Sequence, residues 1–320
     1  MSARRSLRAF APASIGNFAA GFDLLGAALA PLDGSLLGDI VQVETAAEDT
    51  FRLTGPYAHQ LHGETRRNLV LATCDLFRQA LAARELPCGP FALTLEKRLP
   101  LNSGMGSSAS SIVATLTGLQ AICGEPLAAS ELLDLAGQAE SLYSGGAHWD
   151  NVAPALRGGL QLLVPGEPGR CAARSLPWPA EGVLVVVHPD FALATARSRA
   201  VLPEAWPMAA ALGFAGNLAA FIHALHTGDR RLLKLSLRDP LAEPYRAELV
   251  PGFRAAQSGA LAAGALGCTL SGSGPSIFAV AWSEPEAERV AAAITGAFQD
   301  AGLDSRSWNC GLDPRGARIL

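Results

Sequence analysis

The segment PLNSGMGSSASS, Pro100 to Ser111, carries the residue types and spacing that speak most directly of chemistry. Gly104 and Gly106 remove side chains where a polyphosphate must approach the backbone. Ser107 and Ser108 offer hydroxyls to phosphate oxygens or to a metal. The run that follows, SIVATLTGLQAIC, predicts a buried helix. A helix opening near Ala109 directs unpaired N–H groups and the positive end of its dipole at an anion. The same residues also describe a small-residue turn capping a tightly packed helix, and both readings stay open on the residues alone. The chain contains neither a GxxxxGK[ST] loop nor a G-x-S-x-G elbow.

Further segments hold polar residues among small ones: APASIGNFAAGFDLLGAAL (Ala11 to Leu29), GSLLGD (Gly34 to Asp39), AHWDNVAPALRGGL (Ala147 to Leu160), TARSRAVLP (Thr195 to Pro203), EPYR (Glu243 to Arg246) and TLSGSGPSIFAV (Thr269 to Val280). Gly272 and Gly274 in the last permit a tight turn, and a plain hairpin describes that segment equally well. PLNSGMGSSAS resembles the ATP-binding motif of the GHMP kinases, P-x-x-x-G-L-G-S-S-A, with Met105 in place of the usual Leu. That superfamily is named for galactokinase, homoserine kinase, mevalonate kinase and phosphomevalonate kinase. TLSGSGPSIFAV resembles the superfamily's C-terminal glycine-rich motif that supports the phosphate loop, and the other blocks are similar to those of the homoserine kinases. These have Ala-Pro-Ala-Ser leading to an Asn and Gly-Phe-Asp, His-x-Asp-Asn-Val-Ala-Pro-Ala before Gly-Gly, Thr-x-x-x-Arg, and Glu-Pro-x-Arg. The matches run from Ala11 to Val280.

The resemblance implies ATP-dependent phosphorylation of the hydroxyl of L-homoserine to O-phospho-L-homoserine, in threonine biosynthesis, with ATP as co-substrate and Mg²⁺. It places ATP on Asn68, Lys97 and the loop Pro100, Leu101, Asn102, Ser103, Gly104, Met105, Gly106, Ser107, Ser108, Ala109 and Ser110. Asn68 resembles a position near the adenine, and Lys97 is set to help with the charge of ATP. Ser108 and Glu140 resemble the metal positions. Homoserine is a zwitterion, and its carboxylate calls for a bidentate cation, a task for Arg rather than Lys. Arg199 and Arg246 stand in the matching segments for that task, and Asp23 is the candidate for the ammonium. Asn17, His148 and Thr195 would complete the polar pocket. Asp150 and Asn151, with Glu140, are the catalytic positions. An orienting role is expected for Asp150 and Asn151, because a loose phosphoryl-transfer transition state leaves a base little to supply.

Each of these residues has a plainer explanation. An arginine is usually a solvated surface cation, a lone histidine is more often structural, and Asn17 and Asp23 suit turns. Without the resemblance Glu140 reads as an exposed helix carboxylate. His59, His62, His188, His223 and His226 match no motif and read as structural. Another GHMP kinase, acting on mevalonate or shikimate, remains open, although neither substrate has an ammonium for Asp23. So do a non-catalytic metabolite-binding paralogue and, more remotely, a serine hydrolase.

The elements that must position these residues are legible in outline. Strands are predicted at Leu7 to Pro12, Gly38 to Ala46, Phe91 to Leu95, Gly158 to Val164 and Val183 to Pro189, with a Gly- and Ala-rich turn after the first. Helices are predicted at Asn68 to Leu81, Ser130 to Tyr143 with Ser130 as N-cap, Met208 to Thr227, Arg230 to Leu237, Phe253 to Ala263 and Glu284 to Ala301. CTLSGSGPSIFAVAW reads as strand–turn–strand. Strict βαβ alternation is missing, so the class is α+β. The Pro- and Gly-rich PGEPGRCAARSLPWPAEG is the candidate domain joint. The resemblance implies the two-domain GHMP kinase fold. An ATP-binding N-terminal domain like domain 2 of ribosomal protein S5 would cover 1–170, and a ferredoxin-like C-terminal domain 171–320, with the substrate between them. A homodimer is the family expectation.

Composition sets bounds. A length of 320 residues suggests more than one core. A net charge of −4 with 17% charged residues gives no basic footprint for nucleic acid. No run reads as the roughly 18 apolar residues needed to span a membrane, and MSARRSLRAF leads into APASIGN rather than a signal-like apolar region. The six cysteines are scattered without a CxxC pair, which fits a reduced protein in the cytoplasm.

Overall fold

The structure is a computed structural model and describes residues 5–61, 68–144, 146, 148–166 and 170–320. His62, Ala147 at the head of one motif, and residues 167–169 of the Pro- and Gly-rich segment lie outside the described residues.

β6 (Phe91–Glu96) alternates buried and half-buried side chains, as a strand with one face on a core must. It pairs antiparallel with β4 (Gly38–Thr45) and parallel with β5 (Thr50–Thr54). A parallel pair needs a crossover, and α1 (Leu69–Ala82) supplies it. With β1 (Ser6–Pro12) and β13 (Arg318–Ile319) these strands form a five-stranded sheet in the order β13-β1-β4-β6-β5. α2 (Ser107–Ile122) lies against β1 and β4, with Ile112, Val113, Leu116 and Leu119 fully buried. α1 and α3 (Ala129–Ser144) pack on it. α2 opens at Ser107, ahead of the SIVATLTGLQAIC run from which the sequence reads a helix, because the motif's serines are bonded into the protein. Ser110 Oγ donates to Ala11 O at 2.7 Å, and Ser111 Oγ to Asp39 Oδ2 at 2.6 Å. Ser130 lies inside the first turn of α3 rather than at its N-cap. There the Ala128 N–H donates to Glu131 Oε2 at 2.8 Å, one half of a capping box.

The second sheet runs β10-β11-β9-β12-β3-β7-β8. Its first four strands are β10 (Gly267–Leu270), β11 (Ile277–Ala281), β9 (Val183–Pro189) and β12 (Ser305–Leu312). Together with α9 (Phe253–Ala262) and α10 (Glu284–Asp300) they make the β-α-β-β-α-β arrangement of ferredoxin-like folds. β9 is buried on both faces, hence its apolar run from Val183 to Val187. One face meets α9 and α10 through Phe253, Val290, Ile294 and Phe298. The other meets α6 (Met208–Thr227) and α7 (Arg230–Ser236) through Phe221 and Leu233. The sheet continues from β12 into β3 (Leu25–Pro31), β7 (Leu160–Pro165) and β8 (Cys171–Leu176). Strands on both sides of residue 170 therefore share one ladder, and β13 brings the end of the chain back to β1.

Two local expectations are corrected. The Gly- and Ala-rich stretch after Pro12 contains β2 (Ser14–Gly16) and β3, and only residues 17–24 turn. Alanine and glycine are poor strand formers by propensity. Here they are needed because α4 (Trp149–Arg157) presses on β3, and a Cβ at Gly26 would stand 1.7 Å from the Asp150 carbonyl oxygen. Second, α6 has 20 residues without Asp, Glu, Lys or Arg, so by length and composition it could cross a membrane. It is packed along one face: Phe221 is fully buried, its ring 6.1 Å from that of Phe18, and the Asn217 amide donates to Ser236 O and Arg238 O. Met208 and Leu212 on its other side are exposed.

Candidate active site

The loop after β6 folds back to start α2. Gly104 and Gly106 both have positive φ, 76° and 64°, and Gly106 is the N-cap of α2. What excludes a side chain there is the protein itself. A Cβ at Gly104 would lie 2.4 Å from Ser271 O, and one at Gly106 would lie 2.0 Å from Ser14 Oγ. The glycines are thus required by backing segments as well as by the approach of a ligand. Ser271 Oγ donates to Gly104 O at 2.7 Å, the Ser276 N–H to Ser103 O at 3.1 Å, and the Ser14 N–H to Met105 O at 3.1 Å. The Gly272 N–H reaches Gly16 O, and Asn17 Nδ2 returns a bond to Gly272 O, each at 3.1 Å. Three segments far apart in sequence therefore build one surface.

That surface heads a cavity of about 630 Å³ lined by Gly104, Gly106, Ser107 and Ser108. The first-turn N–H groups of α2, which no helix carbonyl can satisfy, belong to this end. Leu101, Asn102 and Ser103 also line it. Pro100, Met105, Ala109 and Ser110 do not: all four are buried behind the loop, Met105 in the core with Leu99 and Ile15. Asn68 lines the cavity and caps α1, its Oδ1 accepting the Val70 N–H at 2.8 Å.

Lys97 is 1% exposed and ion-paired with the fully buried Asp39. Its ammonium also donates to Ser107 O at 2.8 Å and Ser111 Oγ at 3.0 Å. Asp39 further accepts the Arg98 and Leu99 N–H groups, at 2.8 and 3.1 Å. The sequence reading offered Lys97 to the charge of ATP; in the structure its charge is matched by Asp39, and it tethers the first turn of α2 to β4 and β6.

Across the cavity stand Asp23, Thr195, Arg199 and Arg246. Arg246, on α8 (Glu243–Arg246), is 3% exposed, and its Nε and Nη1 donate to Ser198 O and Gly272 O, both at 3.1 Å. Arg199, on α5 (Thr195–Ala200), is half exposed, and its Nη2 donates to both carboxylate oxygens of Asp23 at 3.1 Å. Thr195 Oγ1 lies 3.4 Å from Ser273 Oγ. Asn17 holds the turn that carries Asp23, its Oδ1 accepting the Asp23 N–H at 3.1 Å.

Between the two ends, the start of α4 places Asp150. Its Oδ2 accepts the Asn17 N–H at 2.9 Å, and its Oδ1 accepts from Asn151 Nδ2 at 3.3 Å. Asn151 Oδ1 in turn accepts from Ser14 Oγ at 3.0 Å. Burial pushes the Asp150 carboxyl up to about 6; the nearby Asp23 charge adds to this, while His148, the Asn17 N–H and Arg199 oppose it. His148 lies 3.5 Å from Glu140 Oε1. Burial alone would lower the His148 imidazole, but its hydrogen bond to Glu140 and the charge of Asp150 outweigh it and leave the pKa raised. Ser108 Oγ donates to Glu140 Oε1 at 2.8 Å, so a hydroxyl and a carboxylate meet beside the phosphate end. Mg²⁺ favours hard oxygen ligands and commonly takes few from protein, completing its shell with water and substrate phosphates. The Ser108–Glu140 donor set fits that chemistry.

The sequence reading missed Ser14, Phe22, Ser111, Ser271 and Ser273, and quoted Asp39 only as the end of a motif. The signal was present, since all of them lie in the quoted segments. Their partners, however, lie tens to hundreds of residues away.

The GHMP kinase N-terminal domain model matches residues 68–159, and the GHMP kinase C-terminal model matches residues 221–300. A homoserine kinase structure from Cytophaga hutchinsonii ATCC 33406 aligns with TM-score 0.90 and 32% identity, covering 100% of this chain and 99% of that one. L. major mevalonate kinase in complex with R-mevalonate aligns at TM-score 0.68 and 16% identity over 96% of each chain. Phosphomevalonate kinase from Streptococcus pneumoniae aligns at 0.65 and 14%, covering 96% of this chain and 99% of that one. The last two similarities are of fold.

Proposed function

This chain belongs to the GHMP kinase family of ATP-using phosphotransferases, and from that premise we propose that it transfers the γ-phosphoryl group of ATP to the hydroxyl of L-homoserine. The product is O-phospho-L-homoserine, a step toward threonine. The observation that carries the reading is one cavity with an anion-binding helix start at one end and Asp23, Arg199 and Arg246 at the other. A carboxylate beside two guanidinium groups matches the two charges of an α-amino acid. Mevalonate and shikimate carry no ammonium and would leave Asp23 unmatched.

In this mechanism the first turn of α2 and the loop N–H groups hold the polyphosphate, which needs positioning and charge neutralisation above all. Lys97 and Asp39 fix that turn from beneath. Arg246, already aimed by two carbonyls, takes the substrate carboxylate, and Arg199 joins it as Asp23 turns to the ammonium. Asp150, held by Asn17 and Asn151, orients the hydroxyl toward the phosphoryl group and stands ready to receive its proton. Ser108 and Glu140 would hold Mg²⁺, which when bound neutralises phosphate charge.

The test is ADP release in a coupled assay with L-homoserine, L-threonine, mevalonate and shikimate. We expect turnover with L-homoserine to exceed the others by orders of magnitude. Preference for mevalonate or shikimate, or metabolite binding without turnover, would overturn the reading. We also propose a cytoplasmic homodimer. All six cysteines are free, which suits a reducing setting, and the exposed Met208 and Leu212 of α6 suit a contact between copies.

A further inference from the structure

Arg199 and Arg246 share a neighbour that does not itself line the cavity. Their guanidinium carbons lie 5.9 and 5.3 Å from the centroid of the Phe22 ring. Both are within the roughly 6 Å over which the negative face of a ring attracts a cation. Two guanidinium groups in one site repel each other. Arg246 registers this: burial lowers its pKa first, and the Arg199 charge adds to the lowering. The ring supplies an attraction common to both.

The backbone that presents Phe22 is unusual. Asn17, Phe18, Ala19 and Asp23 all have positive φ, at 64°, 30°, 58° and 56°. Left-handed conformations are unfavourable for residues such as Phe18 and Ala19, and they persist where surrounding structure enforces them. The turn is closed by the Gly21 N–H to Asn17 O at 2.9 Å, the Leu24 N–H to Gly21 O at 2.8 Å, and the Asp23 bond to the Asn17 side chain. Its result is to set Phe22 and Asp23 side by side, the ring toward both arginines and the carboxylate toward one. Arg246 has two carbonyl anchors of its own. Arg199 is half exposed, so the ring and Asp23 matter most for its aim.

We propose that Phe22 is the positioning residue of the carboxylate site: its ring holds the guanidinium groups of Arg199 and Arg246 at the spacing that receives one carboxylate. The inference rests on the amino-acid kinase reading above. It makes Phe22 a determinant of selectivity for a free α-carboxylate, acting through the arginines.

The experiment measures binding of L-homoserine and of L-homoserine amide, which lacks the carboxylate, to the full chain with a non-hydrolysable ATP analogue bound. With Phe22→Leu we expect L-homoserine to bind about tenfold more weakly, with the amide unchanged within about twofold. Phe22→Tyr, which keeps the ring face, should restore wild-type discrimination. In turnover, KM for L-homoserine should rise while kcat and KM for ATP change little. If Phe22→Leu does not fold, Phe22→Met carries the same expectation. Unchanged L-homoserine affinity in a folded variant, or equal loss of both ligands, overturns the proposal for Phe22 alone. A wild-type protein that binds no L-homoserine overturns the functional reading, and this inference with it.

Discussion

Arg199 and Asp23, 176 residues apart in the chain, bind each other across the mouth of the site, with one Nη2 equidistant at 3.1 Å from both carboxylate oxygens. Each is also the group assigned to one charge of the substrate. The site thus presents a ready pair of opposite charges that a zwitterion can replace partner for partner.

This pair is 45% and 42% exposed, and ion pairs of that exposure contribute about 0–1 kcal/mol to stability. Arg199→Gln and Asp23→Asn should therefore each shift the unfolding free energy by less than about 1 kcal/mol. Both should raise KM for L-homoserine by tenfold or more, on the order of 1.4 kcal/mol of binding. Denaturant titration beside steady-state kinetics checks both halves, and a large stability loss with unchanged KM would make the pair structural.

Asp150 offers a pH test. Its carboxyl is raised from 3.8 to about 6, chiefly by burial. The folded protein therefore takes up this proton more readily than the unfolded chain. Below 3.8 the group is neutral in both states and carries no penalty. As pH rises toward 6 and beyond, the folded state must bear a buried charge and loses stability. Asp150→Asn should melt higher than wild type at pH 7–8, with the gap closing as pH falls toward 4. Its kcat should fall by less than the roughly 10⁴-fold upper range for losing a general base. A larger loss would show that proton transfer, and not orientation, dominates at this position.

The pair beneath the phosphate loop should behave differently. Lys97→Met leaves Asp39 charged and buried, and breaking such a pair typically costs about 3–5 kcal/mol. Adding Asp39→Asn should recover part of that loss, giving a favourable coupling in a double-mutant cycle. Because Lys97 holds Ser107 O, the single variant should also raise KM for ATP more than KM for L-homoserine. Equal changes in both would argue against a loop-positioning role.

Mg²⁺ dependence follows from the Ser108–Glu140 contact. Chelation should abolish turnover and added Mg²⁺ should restore it. Ser108→Ala should raise the Mg²⁺ concentration for half-maximal activity by at least the roughly 10–100-fold typical of losing an outer-shell partner. An unchanged Mg²⁺ requirement would remove Ser108 from the metal site.

How much was legible varied with the range of the interactions involved. The phosphate loop could be read because its glycines, serines and helix start are adjacent, so local geometry alone makes an anion site. The long helices and the alternating strand β6 were visible for the same reason. β3 was hidden because its Gly and Ala content answers to the pressure of α4, 124 residues further on at Asp150, rather than to strand propensity. Lys97 lines the cavity, but its pairing with Asp39 was hidden because that partner stands 58 residues earlier, and a lysine next to a phosphate loop looks free in a linear reading.

By itself the chain's order of residues determined an α+β kinase-like protein with an anion-binding turn and a set of polar side chains for the site. Only the folded arrangement decided that Ser271 supports Gly104, that burial raises the Asp150 carboxyl to about 6, and that Phe22 faces two arginines. The reason is physical. Local hydrogen bonding and periodicity act over a few residues, whereas burial, charge pairing and ring–cation contacts depend on distances that exist only after distant segments have packed.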